Sequence, residues 1–210
     1  MHSYDTHYLF VLSRGWKKIL AFALVTSLAG AGLSLLFPLQ YSSSIRMLVI
    51  QRQLSASDPY TAIKASERIS DNLSQIIYTT SFYDKVMGSK FNIDKSVFKA
   101  DEISKRKQWS QMISTQVIRD SGMLIVTVYH VNPAQAEQIS RAIAFILSTE
   151  GTFYIDGGNL DIKLVDDPLI SKYPVKPNIP VNAVLGLMLG LIIGTGYVLA
   201  GARKHSVFGS

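Results

Sequence analysis

The sequence predicts an α+β fold: two transmembrane helices flanking one extracytoplasmic domain, in which a small sheet is covered by helices. Three observations predict it. Residues 19–37 and 181–202 are long apolar stretches without a charged side chain. A helix needs about 20 apolar residues to cross a hydrocarbon layer of roughly 30 Å, so each stretch is long enough. The residues between them mix charge with short apolar runs of both strand and helix period, as a water-facing domain does.

The flanks set the orientation. Arg14, Lys17 and Lys18 precede the first stretch, and Arg203 and Lys204 follow the second. Short basic ends belong on the cytoplasmic side. Of the 21 basic and 15 acidic side chains, five basic ones and Asp5 lie in these ends, leaving 16 against 14 in the middle. The net charge of +6 is therefore largely a matter of topology. A nucleic-acid partner is not expected, because the domain is nearly balanced and has no basic stripe. Its densest basic run, Lys105-Arg106-Lys107, reads as a solvated loop or helix face. Small residues at 29–32 mimic a signal cleavage site. Apolar character nevertheless continues through Leu33, Leu35, Leu36 and Phe37, which favours a retained anchor. Cysteine is absent, so no disulfide supports the domain.

The elements of the middle domain follow in order. In residues 41–51, Ile45, Met47 and Val49 alternate with Arg46 and Leu48, which predicts a strand. Asp58-Pro59 reads as a helix cap followed by proline at the first position. Ala62, Ile63, Ser66, Ile69, Leu73, Ile76 and Ile77 then recur at helical spacing to about Tyr78. A shorter helix is expected over residues 82–87, ended by Gly88. Residues 91–107 show no clear period. Residues 111–119 and 123–130 form the clearest strand pair, joined by the tight-turn signature Asp120-Ser121-Gly122. Asn132-Pro133 opens a helix with an apolar stripe of Ala136, Ile139, Ala142, Ile143, Ile146 and Leu147. A last strand over residues 160–165 follows the Gly157-Gly158 turn. The first and last strands each lead to an anchor, so they are expected to lie close together, with the long helical part projecting away.

Two patterns mark candidate functional segments. Pro174, Pro177 and Pro180 are spaced by three immediately before the second apolar stretch. One turn of polyproline II takes three residues, so such prolines can line one side of a stiff rod. A plain linker that separates two elements is the other reading, and the spacing does not choose between them. In the second stretch Gly186, Gly190 and Gly194 fall four apart, with Gly196 and Gly201 nearby. Ala29 and Gly32 are smaller counterparts in the first. Glycine is common in membrane helices, but three in register point to a helix-packing face, within one chain or between chains.

Catalytic constellations are thin, and no enzyme activity, cofactor or metal is expected. His2, His7 and His205 lie near the ends, and His130 closes a strand without a partner at ligand spacing. Asp101-Glu102 and Asp166-Asp167 are adjacent pairs, and neighbouring side chains do not converge on one point. Phosphate loops, nucleophile elbows and zinc patterns are absent. Lys172, Lys176 and Asp167 are the only groups near the membrane end of the domain that an enzyme acting on lipid-linked sugars could use.

Several features together resemble a known family. These are a strand Tyr41…Ile45-Arg46-Met47-Leu48-Val49 after the first apolar stretch, Val126-Thr127-Val128 leading through Asn132-Pro133-Ala134-Gln135-Ala136-Glu137 into a helix, and Pro174/Pro177/Pro180 abutting a glycine-rich second stretch. In this order they look like the Wzz-type chain-length determinants, or polysaccharide co-polymerases, of bacteria. The resemblance runs from about Trp16 to Arg203. It implies a non-enzymatic inner-membrane protein that forms a ring-like homo-oligomer, works with a polysaccharide polymerase or its glycan, and regulates chain length or export of a surface polysaccharide (O-antigen, capsule or exopolysaccharide). It also implies importance for Pro174, Pro177 and Pro180 and for Gly186, Gly190 and Gly194. The short middle domain is closer to members that act as transmembrane adaptors or activators of a cytoplasmic tyrosine kinase, which is the alternative function. The kinase-fused members carry a nucleotide-binding domain after the second span, and separate adaptors a longer acidic tail, whereas only residues 203–210 follow here. The organisation expected is thus a cytoplasmic segment (1–18), a first span (19–37), an extracytoplasmic domain (38–180), a second span (181–202) and a cytoplasmic tail (203–210), anchored among membrane lipids.

Overall fold

The computed structural model of the protein describes residues 3–51, 59–155 and 160–207, with side chains for residues 11–51, 60–155 and 160–201. The capping Asp58 and the Gly157-Gly158 turn lie outside the described residues. The chain divides into two compact units, residues 1–39 with 176–210 and residues 40–175.

The first unit is a pair of helices. α1 spans Ser3–Ser34 and α6 spans Ile179–Val207. Within them, Val11–Ser34 and Ile179–Gly201 are long and apolar enough to cross a membrane. α1 stops three residues short of the expected end of the apolar stretch. Leu35, Leu36 and Phe37 donate 3-10-type bonds back to Gly32, Leu33 and Ser34, and Pro38 disfavours helical backbone at Phe37.

The second unit is a four-stranded antiparallel sheet with helices on one face. β1 is Tyr41–Gln51, β2 Ile113–Ile118, β3 Met123–His130 and β4 Leu160–Ile170, in the order β2-β3-β1-β4. The first and last strands pair, as expected from their links to the two apolar stretches. Ile45, Met47 and Val49 of β1 and Leu124, Val126 and Val128 of β3 point to one face and are buried. Against that face lie α2, Pro59–Ile76, through Ile69 and Leu73, and α5, Pro133–Glu150, through Ile139, Ile143 and Leu147. The long helix therefore folds back along the sheet instead of projecting from it. Its exposed Ile63 lies off the packed stripe, while Ser66, Ser70 and Ser74 are buried on it. Ser70 Oγ donates to Ser66 O and to Gly122 O, both at 2.9 Å, so the buried hydroxyl is satisfied where α2 meets the β2–β3 turn. In that turn Asp120 and Gly122 both take positive φ, 56° and 64°. A side chain at Gly122 would also press on Ser66 Cβ and Val49 O, which makes glycine the fitting residue.

The segment without clear period resolves into two capped pieces. Asp94 caps a 3-10 turn over Lys95–Val97, and Asp101 accepts the Ser104 N–H at 2.9 Å to start α4, Glu102–Met112. α4 takes residues 111 and 112, which the sequence assigns to the start of the strand over 111–119. Trp109 explains this, for it is 1 % exposed, donates Nε1–H to Ile77 O at 2.8 Å and stands edge-on to Tyr83. Helical backbone at Trp109 places that ring under α3, Thr80–Gly88. The last strand also exceeds its expected end at 165. Between Ser44 and Met47 of β1, β4 carries two extra residues, the register passing from Leu169 through Asp166 to Leu164. A bulged edge strand tolerates the Asp166-Asp167-Pro168 run that reads as a stop in the sequence.

Candidate functional site

The glycine seam lies wholly within the first unit. α1 and α6 run antiparallel, and each of the three expected glycines faces α1 backbone. A Cβ on Gly186 would come within 3.1 Å of Ser27 Cα, one on Gly190 within 2.6 Å of Ala23 Cα, and one on Gly194 within 2.9 Å of Ile19 Cα. Approach this close excludes any side chain larger than hydrogen. The facing stripe on α1 consists of Ile19, Ala23, Thr26 and Ser27 together with Gly30, where a Cβ would meet Asn182 O at 2.7 Å. The counterparts expected from sequence, Ala29 and Gly32, lie off this stripe: Ala29 is exposed and Gly32 borders open space. Gly196 and Gly201 likewise face open space. Gly196, two residues past Gly194, points about 200° around the helix from the seam.

Hydroxyl and amide groups tie the seam together. Asn182 Nδ2 donates to Ser34 Oγ at 2.7 Å, and Ser34 Oγ donates to Gly30 O at 2.9 Å. Ser27 Oγ donates to Ala183 O at 3.0 Å, and Thr26 Oγ1 to its own helix at Phe22 O, 2.8 Å. In an apolar surrounding each such group needs a partner, so these bonds fix the helix pair in rotation as well as distance. Asn182 is uncharged and is not a glycine, so neither the charge pattern nor the glycine spacing of the second stretch marks it. One amide four residues before Gly186, at the same step as the glycines, was the available signal.

The three prolines stand in different backbone settings. Pro174 belongs to the second unit, where Val175 N–H donates to Gln40 O at 2.7 Å. Pro177 follows a cis peptide bond, and Ile179 N–H donates back to Pro177 O at 3.0 Å. Pro180 already sits in the first turn of α6, where a missing N–H is no loss. Polyproline II has no internal hydrogen bonds, and the Ile179 bond to Pro177 departs from it, so of the two readings the plain linker fits residues 177–179. Between Pro174 and Pro177, burial pushes the Lys176 ammonium below its ordinary pKa.

The remaining candidates fall apart as chemistry. His130 is 7 % exposed and accepts the Asn132 N–H on Nδ1 at 2.9 Å, while Asn132 Oδ1 caps α5 by accepting from Ala134 N. The ring is thus a packed joint between β3 and α5. Asp101 caps α4, and Asp166 pairs with Arg46 at 3.2 Å. Among the described residues no group of three or more His, Cys, Asp or Glu is placed to hold a metal.

The class so defined is a chain whose helical ends pack as a glycine-seamed pair and whose middle folds as an α+β domain. Residues 6–99 match the family model described as Wzz, chain length determinant protein. Two curated proteins named capsular polysaccharide biosynthesis protein CpsC, one from Streptococcus agalactiae and one from its serotype Ia strain, are each 24 % identical over 198 residues, covering 88 % of this chain and 77 % of theirs. These matches bear out the resemblance to the Wzz-type chain-length determinants.

Proposed function

We propose that the protein is a non-enzymatic membrane scaffold that assembles with copies of itself and regulates the chain length or export of a surface polysaccharide. The match of residues 6–99 to the chain length determinant family is the observation that carries this reading, and the capsular polysaccharide relatives support it. The two apolar helices sit in the plasma membrane with both ends cytoplasmic and residues 40–175 outside. The polymerase or its glycan is the partner, and control is geometric, exerted by the spacing of domains around the growing chain. Pro174, Pro177 and Pro180 join the domain to α6, so they set how helix movement reaches it.

The test is the glycan itself. Replacing Pro174 and Pro177 by Ala, at unchanged expression and membrane insertion, shifts the length distribution of the surface polysaccharide on gels. A profile identical to that of wild type, in a strain where deletion of the whole gene does change it, removes the proline segment from the mechanism. Deletion without any effect on surface glycan overturns the function. Self-assembly is read by mass measurement of the protein in nanodiscs, and a strictly monomeric particle contradicts the scaffold. The adaptor reading, in which a cytoplasmic tyrosine kinase is the client, rests on the short middle domain. Capture of a kinase by peptides 1–18 and 203–210 would favour it over the scaffold.

A further inference from the structure

We propose that one end of the α+β domain docks directly on anionic lipid headgroups through a rim of exposed apolar and aromatic side chains ringed by lysines. The sheet register identifies that end. Tyr41 pairs with His130, Ser43 pairs with Ile170, and Ser171 N–H donates to Ser42 O at 2.8 Å. Val131, Leu169 and Tyr173 therefore gather at the end of the sheet where the chain enters at Gln40 and leaves at Val175. All three are open to solvent, 50 %, 74 % and 69 % exposed. Lysines accompany them. Lys172 is exposed, with its ammonium 5.6 Å from the Tyr173 ring centroid. Asp94 N–H donates to Gln135 Oε1 in the first turn of α5 at 2.8 Å, which brings the exposed Lys95, and Lys99 beyond it, to this same end.

The carboxylates nearby are largely committed. Asp94 binds Ser96, whose hydrogen bonds hold its carboxyl below the usual range, and Asp166 faces Arg46. Asp167 remains exposed against three lysines.

An occupant must accept apolar side chains, a tyrosine and positive charge on one surface. The headgroup layer of an anionic bilayer meets all three demands. Tyrosine favours that layer, lysine stems lie along apolar surface with the ammonium outward, and anionic lipid attracts cations. The covalent path adds to this, because the chain runs from this end into two helices long enough to span a membrane. The proposal rests on insertion of those helices. Failure of insertion is seen separately, as protein that is not recovered in lipid at all.

The chain has no cysteine, so single spin labels can be placed on the full-length protein at Val131→Cys, Leu169→Cys and Tyr173→Cys, with Ser121→Cys in the β2–β3 turn at the opposite end of the sheet. Each is reconstituted in nanodiscs of phosphatidylcholine, alone or mixed with phosphatidylglycerol. Adding phosphatidylglycerol raises collision of the first three labels with oxygen and lowers it with a water-soluble nickel chelate, leaving the label at 121 unchanged. Replacing Lys95, Lys99 and Lys172 together by Gln abolishes that difference. Labels equally open to the nickel chelate in both lipids overturn the proposal. So does shielding that persists in the lysine variant, which would mean that protein covers the rim. Shielding in phosphatidylcholine on addition of a soluble anionic polysaccharide, without any response to phosphatidylglycerol, assigns the patch to glycan and also overturns it. None of these outcomes bears on the glycan-length test.

Discussion

Ser43 and Ser140 are fully buried and meet Oγ to Oγ at 2.7 Å where β1 crosses α5, and Ser140 Oγ also reaches Glu137 O at 2.9 Å. Replacing Ser140 by Ala strands the Ser43 hydroxyl in an apolar core, which costs about 1–3 kcal/mol. The Ser43→Ala, Ser140→Ala double variant should lose clearly less than the sum of the two single changes, since it removes both members of the pair. Additive losses in denaturant unfolding would show that the two hydroxyls do not depend on each other. His130 offers a residue-scale test in pH. Burial, the larger effect, pushes its pKa below 6.5, while the Asn132 backbone and the charge of Asp94 pull it back. The folded protein therefore holds the neutral ring more firmly than the unfolded chain does. That contribution is complete above pH 6.5 and is lost as pH falls through the lower folded pKa. Thermal unfolding followed across this range should lose less on acidification in His130→Gln than in wild type, and equal losses would assign the acid sensitivity to other groups.

At the scale of elements, the glycine seam makes the sharpest prediction, because its glycines are not equivalent. Gly190→Leu forces a side chain into Ala23 and Phe22 backbone, whereas Gly196→Leu enters open space. Overpacking of this kind costs about 1–3 kcal/mol. Melting of the helix pair in lipid should therefore drop for the first variant and hold for the second. Equal drops would mean that helix association does not use the seam. These elements also show what the sequence makes legible. Residues 133–150 announce themselves through Asn132-Pro133 and an unbroken apolar stripe, and the β2–β3 hairpin through mostly apolar runs on either side of Asp120-Ser121-Gly122. α4 was not legible, because its stretch is almost all polar and one buried face, Trp109 and Met112, decides its conformation. Long-range packing of that indole on Ile77 and Tyr83 carries no local period. The outer half of β4 was hidden for a related reason, since its strand character depends on pairing with β1 across two bulges. Gly186, Gly190 and Gly194 were readable as a face, but their partner stripe on α1 was not. Ala23, Thr26 and Ser27 become a groove only when α6 lies in it.

The two units of the whole molecule are stabilised by different means, and this bears on where each belongs. Residues 40–175 bury a continuous apolar cluster between sheet and helices, including Trp109, Phe82 and Leu73. That interior is what the hydrophobic effect builds in water. α1 and α6 instead leave Val25, Leu28, Leu33 and Ile192 more than 60 % exposed, and what joins them is close backbone approach and hydroxyl or amide bonds. A helix pair that is apolar outside and polar along its seam suits a lipid surrounding. The proposed topology puts both basic ends, Arg14, Lys17 and Lys18 at one and Arg203 and Lys204 at the other, on the cytoplasmic side. Single cysteines in this cysteine-free chain test the arrangement directly. Gln111→Cys, exposed at the end of α4, should react with a membrane-impermeant maleimide on intact spheroplasts, and Ser206→Cys only after permeabilisation. The opposite pattern would invert the topology and with it the scaffold reading. Reaction of both before permeabilisation would place the tail outside and contradict a pair of crossing helices.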